Sequence, residues 1–389
     1  MRICFVGQQI GEVRTGVGTY ANTLVPAVSA LGHEVTLVGR GTTSPPGAGI
    51  TFHRVPSAAH DPTPESWLSF AWLASRRLRA LDARFEVVHF LDGREALFTT
   101  APAGATVLGT VHDCYLASAP SWPAYWRQRY GDWAARWAYH TVARRLERAA
   151  LRRMDALIAN SDYVARQIAG HYGIDPAMVR TVQLGVQIEW PPGAPAIRPP
   201  EVLFVGANFE RKGLPALLRA IADLASAVPG VHLHVVGDHP SRARMQELAR
   251  TLGIERRVTF HGFVDRGAIS ARYRAAAVVA LPSEIEGFGL SLVEAMHSGV
   301  PVVASTEGGS VEIVRDGWNG FLVAPGDVPS LTDRLRRLLT DEERRQEMGR
   351  NAREMAARLT PARMVDETLA VYRASRRAQP EGAVAGAAP

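Results

Sequence analysis

The stretch PSEIEGFGLSLVEAMHSGVPVVASTEGG, Pro282 to Gly309, decides the fold. The apolar run AVVALPS that leads into it reads as a buried strand ending in a turn. Glu286, Gly287, Phe288 and Gly289 then form a loop, and LSLVEAMHS, opening at Leu290, reads as a helix stopped by Gly299 and Pro301. PVVAS follows as the next strand. Two glycines beside a helix start let the backbone come close to a ligand. The unpaired N–H groups of the first turn, with the helix dipole, then favour an anion such as a diphosphate. Glu294, in the second turn, can accept two hydrogen bonds from a vicinal diol such as ribose, and Glu286 can do the same for sugar hydroxyls. Bonds of that kind are worth about 1.5–3 kcal/mol each. A plain strand–turn–helix with two solvated glutamates would also contain Gly-x-Gly. It would not need the E-x7-E spacing, the glycines between and the trailing Gly308-Gly309 together.

Outward from this stretch the grammar repeats. EVLFVG, VHLHVVG, RVTFHG, AVVALPS, PVVAS and GFLVAP read as strands, with LPALLRAIADLAS and RMQELARTLG as helices between them. The first half follows the same alternation: RICFVG, EVTLVG, EVVHFL and TVLGTVH as strands, YANTLVPAVSALG as a helix stopped by Gly32, and DALIANS and VRTVQLGV closing the half. Alternation of this kind predicts two parallel, helix-covered sheets. WPPGAPAIRPP, Trp190 to Pro200, is too proline-rich for a helix or a central strand and reads as a linker. The expected organisation is therefore residues 1–190, a linker at 191–200 and residues 201–360. A helix at 361–378 returns to the first domain, and the tail 379–389 is disordered. Ligands of such sheets sit at the carboxyl ends of the strands, so a shared ligand would lie in a cleft between the domains.

The chain has 44 basic side chains, and Lys212 is the one lysine among them. It stands in VGANFERKGLPALL, after a strand and a loop and just before a helix, beside Arg211. Two cations at a strand's carboxyl end suit a diphosphate, which a compact ammonium addresses as a point charge and a planar guanidinium does not. No Asp-x-Asp occurs in the chain, so a metal clamp has no obvious ligands and metal-independent chemistry is expected.

Taken together, E-GFGL---EAM-SG-PVVAS--GG--E-V-DG-NG-LV is very similar to the signature of glycosyltransferase family 4. These are retaining enzymes with the GT-B fold, an α/β architecture of two Rossmann-like domains facing each other across a donor/acceptor cleft. FVGANFERKG resembles the family's phosphate-binding segment, and HGFV (Gly262, Phe263, Val264) its base-binding loop. The resemblance covers nearly the whole chain and is loosest between Leu116 and Ala149. It implies that Arg211 and Lys212 neutralise a nucleoside diphosphate as it leaves the anomeric carbon of a sugar. It also implies that Glu286 holds sugar hydroxyls, and that Gly287, Phe288, Gly289, Leu290 and Glu294 hold the rest of the donor. The family picture is front-face attack, in which the departing phosphate takes the acceptor's proton. No enzymic base is implied. VQLGVQ departs from the family's asparagine-glycine-aspartate ending, with Leu184, Gly185 and Gln187 in those places.

In the first half, RTGVGTYANTL (Arg14 to Leu24) opens a helix but is not a dinucleotide fingerprint, since about nine residues separate the strand end at Gly7 from Gly16. No acidic residue ends EVTLVGR either, which disfavours a nicotinamide enzyme. By resemblance, Gly16 and Gly18 approach the donor phosphate. His112-Asp113, ending GTVHDCY, stands at a strand's carboxyl end, where an imidazole can bond a donor hydroxyl or orient the acceptor. His89 stands at an equivalent strand end and reads as structural. Trp126, Tyr130, Trp133 and Trp137 share one helical face among arginines. With Trp122 they read as a core stripe, an acceptor wall or an interfacial patch.

At 389 residues the chain is too long for one ordinary core. The basic balance (+6) fits an arginine bias of GC-rich coding, and would also suit an anionic substrate or an acidic membrane surface. Cys4 and Cys114 are the only cysteines, which excludes a disulfide framework and suits a reducing compartment. MRICFVG lacks the length of a signal peptide, and no apolar run approaches a bilayer span. The expected setting is cytoplasmic, with peripheral contact at the inner membrane face as a variant. The expected partners are a nucleotide-diphosphate sugar and a hydroxyl acceptor such as a saccharide, lipid-linked glycan or small metabolite. No nucleic acid and no cofactor are expected. A glycoside phosphorylase, a sugar-nucleotide epimerase or a non-catalytic nucleotide-sugar-binding subunit of the same fold are the alternatives.

Overall fold

The structure is a computed structural model, and it describes residues 1–10, 15–40, 49–56, 64–81, 84–100, 102, 104–114, 133–186 and 200–376. Trp122, Trp126, Tyr130, Arg14, Gln187, most of the proline-rich linker and the tail fall outside them. The chain divides into two compact units. One holds Met1–Ala159, Ala165–Val182 and the segment from Val365 onward; the other holds Asn160–Val164 and Gln183–Met364.

The first unit is a seven-stranded sheet of β1 (Arg2–Gly7), β2 (Glu34–Gly39), β3 (Ile50–Arg54), β4 (Val87–Phe90), β5 (Thr106–Val111), β6 (Ala156–Ala159) and β7 (Val179–Thr181). Its order is β3-β2-β1-β4-β5-β6-β7, with every pair parallel. The second unit is a six-stranded sheet of β8 (Glu201–Val205), β9 (His232–Val236), β10 (Val258–Gly262), β11 (Val278–Leu281), β12 (Val302–Ser305) and β13 (Gly320–Val323). Its order is β10-β9-β8-β11-β12-β13, again all parallel. Helices fill most of the crossovers that parallel pairing requires, while β4 to β5 and β12 to β13 run through the short 3-10 turns Gly93–Ala96 and Gly309–Glu312. Central strands such as VVHF, ALIA, VVAL and VVAS are buried along their whole length, which is why their apolar runs do not alternate.

Both sheets reverse their winding once, between β1 and β4 and between β8 and β11. At such a switch point the loops leaving two neighbouring strands diverge and expose the carboxyl edge. In the second unit those loops are Gly206–Gly213 and Pro282–Gly289. They carry the cation pair and the glutamate–glycine segment singled out by sequence. Some elements have no strong sequence signal. β3, ITFHR, is a half-exposed edge strand. The helices Pro64–Ala80, Val328–Thr340 and Glu342–Ala356 complete the layers, and Asp341 ends one of the last two while its side chain caps the other at Arg344 N (2.9 Å).

Buried histidines give the fold an acid limit. His89 has no exposed surface and sits between Tyr372 Oη at Nδ1 and Thr110 Oγ1 at Nε2 (2.8 Å). Burial, and then the His112 ring, hold its pKa down to about 3. In the second unit His234 stacks on His261 with ring nitrogens 3.0 Å apart, and burial lowers it to about 4. A histidine depressed in the folded state binds its proton first in the unfolded state, so stability is whole above about pH 6.5 and falls as pH drops toward these values. Melting temperature should decline steeply between pH 6 and 4, with His89 alone worth roughly 1.4 kcal/mol per pH unit. His89→Gln, which cannot titrate, should flatten that limb; an unchanged slope in the variant would refute the assignment.

Candidate functional site

The loop after β8 is held rigidly by its own backbone. Asn208 takes a left-handed conformation (φ 57°), and its carbonyl accepts the Lys212 N–H at 3.0 Å while Phe209 O accepts that of Leu214 at 2.9 Å. Gly213 (φ 80°) touches the end of β11 so closely that a side chain there would collide with the Pro282 carbonyl. That contact seats the cation loop on its neighbour across the switch point. Arg211 seals it: its carbonyl accepts Glu284 N–H (2.8 Å) and its Nη1 donates to Ile285 O (3.2 Å). Lys212 Nζ reaches Glu286 and donates to its Oε2, which also accepts the Ser283 hydroxyl at 3.3 Å.

Thus the two residues read from sequence as a phosphate cation and a sugar-binding carboxylate meet directly. Neither is fully exposed, with side chains 15% and 10% accessible, so their attraction is screened less than that of a surface pair. Glu286 is fixed on its other side by the trailing glycines. Gly309 N–H donates to Glu286 O at 2.8 Å, and Gly308 (φ 107°) lies where any side chain would strike the Glu286 backbone.

Beyond Glu286 the chain turns into the helix Leu290–His297 through Gly289, a left-handed residue (φ 99°) with no side-chain cap. Gly289 O accepts the N–H groups of Leu292 (2.9 Å) and Val293 (3.2 Å). The amides of Phe288, Gly289, Leu290 and Ser291 find no acceptor among the described residues. Successive uncommitted amides at a helix start, with a left-handed residue among them, form an anion-binding concavity. Glu294, one turn along, accepts the hydroxyl of the buried Tyr273 at Oε2 (2.6 Å), a bond that fixes the carboxylate and leaves it further acceptor sites. Burial and that carboxylate push the Tyr273 phenol far up. At the edge of the same sheet Gly262 (φ 69°) accepts Gly237 N–H at 2.8 Å, Phe263 stands half exposed, and Val264 is partly covered.

Four residues that sequence reading passed over support this arrangement. Glu210 is buried and ties the cation loop outward to Ser241 Oγ (2.9 Å), with His239 and Arg244 beyond. Tyr273 holds Glu294. Ser161 donates to Gly287 O (2.7 Å), and Glu312 accepts the N–H groups of Asp162 and Tyr163 (3.1 and 2.8 Å). The only available hints were a serine placed to cap a helix in NSDYV and the glutamate that follows Gly308-Gly309.

In the first unit, Gly16 and Gly18 form the first turn of the helix Gly16–Ala30, but Gly18 N–H is taken by the Thr15 hydroxyl (3.0 Å). His112 follows β5, donates from Nε2 to Leu91 O (2.8 Å) and meets Tyr20 edge-on. Burial lowers its pKa, against the pull of Asp92. Asp113 is partly buried beside it. Asp92 pairs with Arg94 at 2.7 Å, and Glu147 beneath is pushed up to about 7 by burial. Among the described residues no group of three or more His, Cys, Asp or Glu side chains is placed to hold a metal ion. No described helix is long and apolar enough to cross a membrane.

Known protein families match both regions of the chain. The family model described as Glycosyltransferase Family 4 matches residues 14–190, and that described as Glycosyl transferases group 1 matches residues 192–355. D-inositol 3-phosphate glycosyltransferase of Nocardiopsis dassonvillei is 34% identical over 243 residues, covering 58% of this chain and 57% of that protein. D-inositol 3-phosphate glycosyltransferase 2 of Catenulispora acidiphila is 38% identical over 238 residues, 56% of each. The chain thus matches a little over half the length of these curated relatives. Among solved structures, sucrose-phosphate synthase from Thermosynechococcus elongatus superposes with a TM-score of 0.76 at 23% identity, covering 96% of this chain and 99% of that one. Anabaena HepE, solved in complex with UDP and glucose, gives 0.75 at 19% identity, with coverage of 96% and 99%. These identities bear on the fold alone.

Proposed function

Because the chain belongs to glycosyltransferase family 4, with a family-4 N-terminal region and a group 1 C-terminal region, we propose that it transfers a sugar from a nucleoside-diphosphate donor to a hydroxyl acceptor with retention of configuration. The observation that carries this is the row of uncommitted amides from Phe288 to Ser291, two residues past the carboxylate that Lys212 engages. Negative charge grows on the leaving diphosphate as the glycosidic bond breaks. Donors already fixed in place stabilise that charge without reorganising, and therefore act most strongly in the transition state. Lys212 and Arg211 supply the positive charge, and the helix start supplies the N–H groups. Glu286 holds donor hydroxyls and Glu294, steadied by Tyr273, holds the ribose. Gly262, Phe263 and Val264 receive the base.

His112, Asp113, Gly16 and Gly18 take donor- or acceptor-orienting roles on the family resemblance. The departing phosphate receives the acceptor's proton, so no enzymic base is assigned. The relatives named above are D-inositol 3-phosphate glycosyltransferases, in keeping with a polyol acceptor; the donor read from the motifs is a UDP- or GDP-linked sugar. HepE was solved with UDP and glucose, in keeping with such a donor.

A thermal-shift screen of UDP-, GDP-, ADP- and dTDP-sugars tests the reading. A donor at 100 times its dissociation constant should add ~2.7 kcal/mol of stability. Nucleoside diphosphate should then be released on adding acceptor, at the same rate with a chelator present. Binding of none of the four, or a rate that collapses on chelation, would contradict the proposal or its metal-independent form respectively.

A further inference from the structure

We propose that Ser161 is a positioning residue for the diphosphate-binding loop: by donating to the Gly287 carbonyl, its hydroxyl sets the direction in which the neighbouring amides point. The inference rests on the proposed donor site and adds a residue from outside its motifs.

Ser161 is fully buried, in a segment (Asn160–Val164) that packs with the second unit. A hydroxyl has one proton to give. Val164 N–H donates to Ser161 Oγ at 3.1 Å, so on that side the oxygen accepts, and its proton is directed to Gly287 O at 2.7 Å. The peptide between Gly287 and Phe288 is trans and planar, with its C=O and N–H pointing opposite ways. Holding the oxygen therefore holds the Phe288 N–H, the first of the uncommitted amides, facing the other side.

Gly309 closes the second flank. A side chain there would collide with Gly287 O and come within 2.9 Å of Ser161 Oγ, so the carbonyl lies wedged between the two. The segment bearing Ser161 is itself tethered. Glu312 accepts Tyr163 N–H at 2.8 Å, Asp162 N–H at 3.1 Å and Gln183 Nε2 at 3.4 Å. Gly309 and Glu312 are the two ends of one short 3-10 turn, Gly309–Glu312. A single four-residue element thus fixes both the carbonyl and the serine that holds it.

Nucleoside mono- and diphosphates separate this role from a merely structural one, the proposal placing the terminal phosphate of the diphosphate on the amide row. The dissociation constants of UDP, GDP, ADP and dTDP and of the matching monophosphates are measured on the full chain by calorimetry. Ser161→Ala should reduce the preference for diphosphate over monophosphate by about tenfold, the worth of one charge-assisted bond. Monophosphate affinity should stay within about twofold of the wild type, the scatter of such a measurement, since it draws on none of these amides. Ser161→Thr, which keeps the hydroxyl, should keep the preference. Ser161 also caps a helix, so Asp327→Ala serves as a control. It removes a cap of the same kind in the same unit, where Asp327 accepts Ser330 N–H at 3.0 Å, and should leave the preference unchanged. An unaltered preference in Ser161→Ala, or an equal fall in Asp327→Ala, overturns the proposal. Failure of the wild-type chain to bind any of the four diphosphates instead overturns the donor-site reading on which it rests.

Discussion

Lys212→Ala should lower kcat/KM for the productive donor by about a thousandfold, the upper end of what losing one preorganised charge donor costs. The structure complicates the obvious control, since Lys212 faces Glu286, a carboxylate that is itself buried. Removing one member of such a pair destabilises by roughly 3 kcal/mol, because the remaining charge loses its counterion. A drop in rate could then come from a distorted loop and not from a missing phosphate contact. The double variant Lys212→Ala/Glu286→Gln separates the two. Neutralising the glutamate should restore most of the melting temperature lost in the single variant, while kcat/KM stays at the single variant's level or below. If the double variant regains a large part of the rate, Lys212 serves Glu286 alone and the cation role assigned to it is wrong. Arg211→Ala is expected to be milder, about tenfold, since its guanidinium already bonds the Ile285 carbonyl.

Much of this was legible in the sequence because the fold announces itself through unbroken apolar strands and through glycines placed at strand ends. EVLFVG, AVVALPS and PVVAS became β8, β11 and β12, and the loops leaving β8 and β11 became neighbours because those strands pair directly. The meeting of Lys212 with Glu286 was not legible. Seventy-four residues separate them, and only the sheet order, which a single chain's pattern does not encode, brings them together. Ser161 and Glu312 were missed for a related reason. Each bonds backbone atoms, Gly287 O in one case and the Asp162 and Tyr163 amides in the other, and backbone leaves no side-chain signature at the partner position. The diol role read for Glu294 overlooked Tyr273, whose hydroxyl comes from the preceding crossover helix. β3 escaped because ITFHR lies at the sheet edge, where polar and apolar residues mix. His89, by contrast, was read as structural from its place in VVHF, and both its nitrogens are bonded inside the core.

Gly308→Ala should be among the most damaging single-methyl changes in the second unit. Its backbone (φ 107°, ψ −168°) lies in a region essentially reserved for glycine, which alone costs about 1–3 kcal/mol for any other residue. The added carbon would also strike the Glu286 backbone, with Glu286 N at 2.8 Å and its carbonyl closer still. Relief requires the Glu286 peptide to move away, which breaks the 2.8 Å bond from Gly309 N–H and carries the carboxylate off Lys212. Strain and overpacking together should cost roughly 3–5 kcal/mol, or about 6–20 °C in melting temperature. Displacement by an ångström of the carboxylate proposed to hold donor hydroxyls should cost about a hundredfold in kcat at temperatures where the variant is still folded. Gly326→Ala provides the comparison. Gly326 also has a positive φ (77°), but a methyl group added there would meet nothing within 4 Å, so it carries strain without the collision. It should lose about 1 kcal/mol and no activity. Equal losses in the two variants would mean that left-handed strain, and not the packing of Gly308 on Glu286, accounts for the glycine pair, and that the glutamate is held by something else.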